Sequence, residues 1–223
     1  MYNFIKLICV TVFCVFICSC SANKSYEKES SSYETENYVI NSESIKFKLD
    51  ESLSLNHDIK TQTDSWISDF ESRVLDNRVK GHELPNMQIR HKVYECNDLL
   101  ISTVCEKYVY ISGVRGQTWW LARNFDIKNN SYLTLSDLFY DNEYKKILNA
   151  KMEEMLTKEP EKYHDLWEIP AIKNGIDDNF YLDGKNLVIF FQPYELSFYA
   201  KGVVEFPIEA SELRGYIKEE YLS

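Results

Sequence analysis

The chain has 223 residues, 44% of them hydrophobic and 14% aromatic, with a formal net charge of −10. Length and apolar content suit a folded domain rather than a fibrous or disordered chain. The acidic balance repels nucleic acid and anionic lipid and would attract a basic partner, although plain solubility accounts for it more simply.

Residues 1–23 read MYNFIKLICVTVFCVFICSCSAN, with Lys6 the only charge. Leu7 to Cys18 is apolar apart from Thr11. At 1.5 Å per residue that stretch spans about 18 Å, whereas a bilayer core of ~30 Å takes about 20 residues. It reads as a signal-peptide core rather than a membrane span. Its end, Ile17-Cys18-Ser19-Cys20, resembles a bacterial lipobox, which makes Cys20 the expected lipid attachment site. Residues 1–19 are then a signal peptide, and its removal takes away Lys6 and shifts the net charge from −10 to −11. Several acyl chains, at ~0.8 kcal/mol per buried methylene, would hold the chain to a membrane on the exported side, periplasmic or cell surface.

Residues 20–37 start at the acylated cysteine and continue as a Ser/Glu-rich stretch with almost nothing to bury, expected as a flexible tether. Residues 38–223 are read as one domain, with an upstream strand-helix part over 38–80 and a core part over 86–223. Tyr38 to Leu49 alternates loosely and reads as a strand. The next segment sets Ile59, Trp66, Ile67, Phe70 and Val74 on one helical face. Strand candidates follow at 86–96, 99–112 and 117–127. In the last of these Trp119, Leu121, Phe125 and Ile127 share one face, expected inward. Trp120, Ala122, Asn124 and Asp126 share the other. A turn is expected at Asn129-Asn130, then a helical turn with Ser136 as its cap. The segment from Asp141 to Pro160 is the clearest helix, with Tyr144, Ile147, Leu148, Met152, Met155 and Leu156 as its apolar stripe and Pro160 as its stop. Asp183-Gly184 marks a hairpin. Val204, Phe206 and Ile208 face inward on the last strand. The fold class is α+β: an antiparallel sheet of about six strands with two main helices packed against it.

Cys96 and Cys105 are the cysteines left after the anchor. A hairpin turning at Asn97-Asp98 sets them about six residues apart along the ladder, roughly 20 Å at 3.3 Å per residue. A disulfide needs Cα atoms within about 7 Å, so two separate, buried thiols are expected.

Recognisable catalytic spacing is absent from the sequence. His57, His82, His91 and His164 show no ligand spacing, so neither a metal nor a cofactor is expected. There is no Gly-x-Ser-x-Gly, no phosphate-cradling loop and no nucleophile beside a base. Asp177-Asp178 and Glu153-Glu154 read as solvated surface. Two stretches remain. In SGVRGQTWW, Gly113 and Gly116 call for a positive φ or a close backbone approach. Arg115 is then exposed at a turn and Trp120 is the surface-facing tryptophan. In FFQPYELSFYAKG, Pro193 ends a strand, Tyr194 starts a loop, and Glu195 is expected to cap backbone N–H groups. Arg115, Trp120, Tyr194 and Glu195 are the candidate binding residues, with no catalytic ones.

Taken in order, YVYISGVRGQT, NFDIKNNSYLTLSDLF and FYLDGKNLVIFFQPYELSFYAKGVVEFPI resemble the RsiV-like domain of unknown function. That domain forms the extracellular part of the anti-sigma-V factor and also occurs beside polysaccharide deacetylase domains. The resemblance covers about residues 90–215. The family hairpin usually runs Gly-Gly-Ala-His-Gly, and here Arg115 stands where the histidine would be. An anti-sigma role is not expected, because only Met1 to Lys6 precede the apolar stretch. What the resemblance implies is the exported domain, which in the anti-sigma factor recognises lysozyme. The reading is a non-catalytic envelope lipoprotein that binds a basic protein such as lysozyme or a cell-wall glycan. The alternatives are a structural envelope protein without a small ligand and a cell-wall glycan hydrolase, the latter requiring a cleft with two carboxylates.

Overall fold

A computed structural model describes residues 16–19, 25–50, 53–76, 83–172 and 179–221. Cys20, His82 and the pair Asp177-Asp178 lie outside the described residues. Among the described residues ten strands and three α-helices follow one another: β1 (Phe16–Ser19), β2 (Ser25–Glu34), β3 (Val39–Phe47), α1 (Leu55–Asp76), β4 (Asn86–Cys96), β5 (Leu100–Tyr110), β6 (Gln117–Asp126), β7 (Ser131–Tyr132), α2 (Tyr144–Lys158), α3 (Pro160–Tyr163), β8 (Phe180–Leu182), β9 (Asn186–Phe191) and β10 (Val204–Glu209). One sheet has the order β1 to β7 in sequence, and a second has the order β10-β9-β8. Pairing is antiparallel in the second sheet and between β2 and β3, and parallel between β3 and β4. The fold is α+β. The sequence reading placed about six strands in one sheet; the chain forms seven in the first and sets β8 to β10 apart in the second.

The chain divides into two compact units, one reaching to His91 and including Glu106–Thr118, the other made of Lys92–Cys105 and Trp119–Ser223. In the first unit the expected flexible tether is corrected: Ser25–Glu34 is β2, paired residue for residue with β3 from Tyr26↔Phe47 to Glu34↔Val39. Counting apolar side chains missed what a backbone ladder supplies. Two tyrosines pack from it, Tyr26 buried at 5.8 Å from Phe47 and the half-buried Tyr33 at 5.9 Å from Tyr38. Serines add polar contacts across the pair, such as Ser32 Oγ donating to Asn41 Oδ1 at 2.8 Å. Helix α1 packs by the face read from the sequence, with Ile59, Phe70 and Val74 buried. Tyr38 meets Phe70 edge-on at 5.7 Å and donates its hydroxyl to Glu71 at 2.7 Å. Burial, then the Glu71 carboxylate, push the Tyr38 pKa far up, so it stays a donor. Asn56, in the first turn of α1, accepts from the Phe47 amide and donates to its carbonyl, both at 2.8 Å.

The glycine-flanked turn after β5 uses its two glycines differently. Gly113 has φ +96°, a conformation that side chains with a Cβ adopt at a cost of roughly 1–2 kcal/mol. Gly116 is needed for space: a Cβ there would lie 2.3 Å from Cζ of Tyr108. The Gly116→Ala variant is expected to lose about 1–3 kcal/mol of stability in denaturant unfolding, as in other overpacked sites. The same substitution in a Tyr108→Ala background should cost far less, and an unchanged cost would show that the ring is not the obstacle.

The second unit holds one large apolar core. Leu148 and Met152 of α2, Phe191 of β9 and Phe206 of β10 are all buried in it. The expected stripe of α2 holds, with Tyr144, Leu148 and Met152 buried and Ile147, Met155 and Leu156 packed on the core. Pro160 ends the helix by starting α3. Val204, Phe206 and Ile208 face inward as expected. Thr134, not Ser136, caps the helical turn over Leu135–Leu138, because Asp137 answers it as a capping box. Cys96 and Cys105 are buried as separate thiols. The hairpin before β5 turns one residue later than expected: the Asn97 amide donates to the Leu100 carbonyl at 3.0 Å, with Asp98-Leu99 between them.

Candidate binding surface

Strand β9 is apolar to Phe191, and Pro193 cannot continue its ladder. A tight turn follows. The Glu195 amide donates to the Gln192 carbonyl at 3.0 Å, and the Gln192 amide donates to Glu195 Oε2 at 2.6 Å. Glu195 is thus the backbone cap the sequence suggested. Between them Tyr194 sits at φ +75°. A tyrosine in that left-handed region costs roughly 1–2 kcal/mol, and strain of this kind concentrates where a side chain must be aimed. The ring packs at 5.5 Å on Tyr199 and remains 48% exposed.

The chain then runs alongside the segment after α3. The Ser197 hydroxyl donates to the Asp165 carbonyl at 2.6 Å, and the Trp167 amide donates to the Leu196 carbonyl at 2.9 Å. Leu196 and Ser197 are buried, whereas their neighbours point out. Trp167 is 55% exposed, Ile169 66% and Phe198 45%. Two hydrogen-bonded segments therefore present Trp167, Ile169, Tyr194 and Phe198 to solvent, with the exposed carboxylates of Glu168 and Glu195 among them.

Of the four residues named from the sequence, three come together. The Gln192 side chain accepts from the Trp120 amide at 3.0 Å and donates to its carbonyl at 2.6 Å, which ties Trp120 to the Tyr194-Glu195 turn. Arg115 is exposed in the glycine-flanked turn of the other unit. The tryptophan assignment is corrected. Trp120 is half-buried, edge-on to Phe190 at 5.7 Å, and Trp119 is the more exposed at 40%. The face of β6 carrying Trp120, Ala122 and Asn124 packs against Tyr181, Val188 and Phe190 of the second sheet. Trp167, Ile169 and Phe198 were not named from the sequence. The available signal was DLWEIP, large apolar residues set among charges, without helix or strand period, beside a proline.

A cleft of about 240 Å³ lies in the same unit, lined by α3, β8, β9, Lys201 and β10. It holds two carboxylates, and both are engaged. Glu205 Oε1 accepts the Tyr181 hydroxyl at 2.5 Å. Asp183 Oδ1 accepts the Asn186 amide at 2.8 Å, and the Asn186 side chain reaches both of its oxygens. Burial first, and the Glu205 hydrogen bond second, raise the Tyr181 pKa far above its ordinary value, so the hydroxyl keeps its proton. Among the described residues no group of three or more His, Cys, Asp or Glu is placed to hold a metal ion, and no helix is long and apolar enough to cross a membrane.

Architecture and pairing define an α+β fold with mostly antiparallel strands. Residues 136–211, which carry α2, the second sheet and the Tyr194 turn, match the family described as a protein of unknown function, DUF3298. The whole fold is similar to a DUF3298 family protein from Pseudomonas aeruginosa PAO1, at 15% identity and a TM-score of 0.68, over 90% of this chain and 97% of that one. It is also similar to a member of the same family from Bacteroides fragilis NCTC 9343, at 17% identity and a TM-score of 0.61, over 94% of this chain and 92% of that one. No curated protein matches.

Proposed function

We propose that this chain is a bacterial envelope lipoprotein, anchored through Cys20 on the exported side, whose RsiV-like domain binds a cell-wall-related ligand without catalysis. The observation that carries the reading is the strained, outward Tyr194, on a loop that also exposes Phe198 and is hydrogen-bonded to the segment exposing Trp167 and Ile169. Large apolar and aromatic residues exposed on two adjoining segments, with the carboxylates of Glu168 and Glu195 beside them in sequence, suit recognition. With a net charge of −10, the favoured partner is a basic protein of the lysozyme type, and a glycan is the other candidate. The carboxylates of the cleft support a non-catalytic role, because Glu205 and Asp183 each spend hydrogen-bonding capacity on the fold.

The test is calorimetric titration of residues 20–223 with c-type lysozyme at low and physiological salt. Saturable binding that persists at physiological salt and is lost in Tyr194→Gly supports the reading. Binding only at low salt is charge attraction alone, and no binding at either salt discards the lysozyme partner. Tyr194→Gly serves well because it should not harm the fold. Glycine adopts φ +75° freely, so the variant is expected to match the parent or exceed it by up to about 1 kcal/mol in denaturant unfolding. A loss of more than about 1 kcal/mol would show that the contact with Tyr199 outweighs the backbone strain.

A further inference from the structure

We propose that the cleft beside β10 binds a small zwitterionic solute of the amino-acid or dipeptide class. Four charged side chains line it: the ammonium groups of Lys162 and Lys201 and the carboxylates of Glu205 and Asp183. Formal charge in the lining therefore balances. A ligand that is neutral overall and charge-separated matches this arrangement. A simple anion would approach against the field of a chain carrying −10.

The acceptor is Glu205. Tyr181 takes its Oε1, and Oε2 accepts from no described group, which leaves lone pairs for an incoming ammonium. Tyr181 fixes that carboxylate: its ring is stacked on Tyr94 at 3.8 Å and buried, and its hydroxyl stays protonated. The donors are the lysines. Lys201 Nζ gives one hydrogen to the Lys162 carbonyl at 2.8 Å and keeps two. Lys162 Nζ lies 4.9 Å above the Tyr163 ring and 3.4 Å from Glu159. Tyr163 is itself fixed, stacked on Phe206 and donating to the Glu205 carbonyl at 3.0 Å. Valines and Pro207 supply an apolar wall for a short side chain. A volume of about 240 Å³ is below the usual ~300–1,000 Å³ of drug-sized pockets, which limits the occupant to a small molecule. The cleft and the aromatic face use different side chains, so either can fail without the other.

The experiment is titration of the full chain, in mild detergent, with L-alanyl-L-alanine, with its N-acetyl form, which lacks the cation, and with its C-terminal amide, which lacks the anion. The dipeptide is expected to bind saturably, and each blocked form about tenfold more weakly. Glu205→Gln keeps an acceptor for Tyr181 and removes the charge. It should lower dipeptide affinity to that of the N-acetyl form. Lys162→Ala with Lys201→Ala, on side chains outside the core, should lower it to that of the amide. No saturation up to about 10 mM, equal binding of all three probes, or unchanged dipeptide affinity in Glu205→Gln would overturn the proposal.

Discussion

Phe206→Ala is expected to cost about 3–5 kcal/mol of unfolding free energy, the range for aromatic truncation in a closed core. Phe206 is fully buried in the middle of β10, opposite Ile189. One face of its ring stacks on Tyr163 at 4.8 Å and nearly parallel, and Phe191 meets it edge-on at 5.8 Å. Truncation removes both aromatic contacts and leaves a void between rings held by separate elements, α3 and β9, which cannot both move in. Phe206→Leu, which refills part of the volume, should recover about half of the loss. Equilibrium unfolding in urea reads both numbers. A cost below about 1 kcal/mol for the alanine variant would mean that the stack is not part of the stabilising core.

The second large effect is polar. Asn124→Ala is expected to cost about 2–3 kcal/mol, because it strands two buried partners at once. Ser102, fully buried on β5, donates its hydroxyl to Asn124 Oδ1 at 2.7 Å and accepts the Leu182 amide at 2.9 Å. Asn124 Nδ2 donates to the Phe180 carbonyl at 2.8 Å. Two side chains from the first sheet thereby satisfy the backbone of β8 in the second. Removing either partner leaves one buried polar group of the other without its hydrogen bond. The double variant Ser102→Ala with Asn124→Ala should therefore cost less than the sum of the single ones, and a double-mutant cycle measures the difference. Strict additivity would show that the network does not act as a unit.

This network also marks how far the sequence could be read. The Asp183-Gly184 pair located a hairpin, and periodicity located β6 as well as α1, α2 and β10, the last three burying a regular apolar stripe. It could not say which face of β6 goes inside. Trp119, Leu121 and Phe125 form the more hydrophobic row, and only Phe125 among them is fully buried. The row carrying Ala122, Asn124 and Asp126 is the better buried because a second sheet packs there and answers Asn124, while Asn129 in the following turn answers Asp126. That partner strand is over fifty residues away in sequence, and no local pattern announces it. β2 escaped for a related reason: a ladder of backbone bonds leaves no signature in a Ser/Glu-rich stretch. At the surface, Tyr194 and Glu195 were legible from Pro193 and the turn it forces. Trp167, Ile169 and Phe198 were not, because their exposure depends on two loops lying side by side.

The side-chain amides of Asn56 and Gln192 share one geometry at the ends of strand ladders. Strand β4 pairs with β3 only over Val39–Ser42, and β7 pairs with β6 only at Phe125 and Asp126. Phe47 and Trp120 lie beyond those ladders, where backbone groups would be open to any extended segment. Asn56 and Gln192 each place one amide against both backbone groups of the residue concerned, as a neighbouring strand would. A single side chain thus imitates one residue of a missing strand and fills the place where a foreign chain could begin to pair.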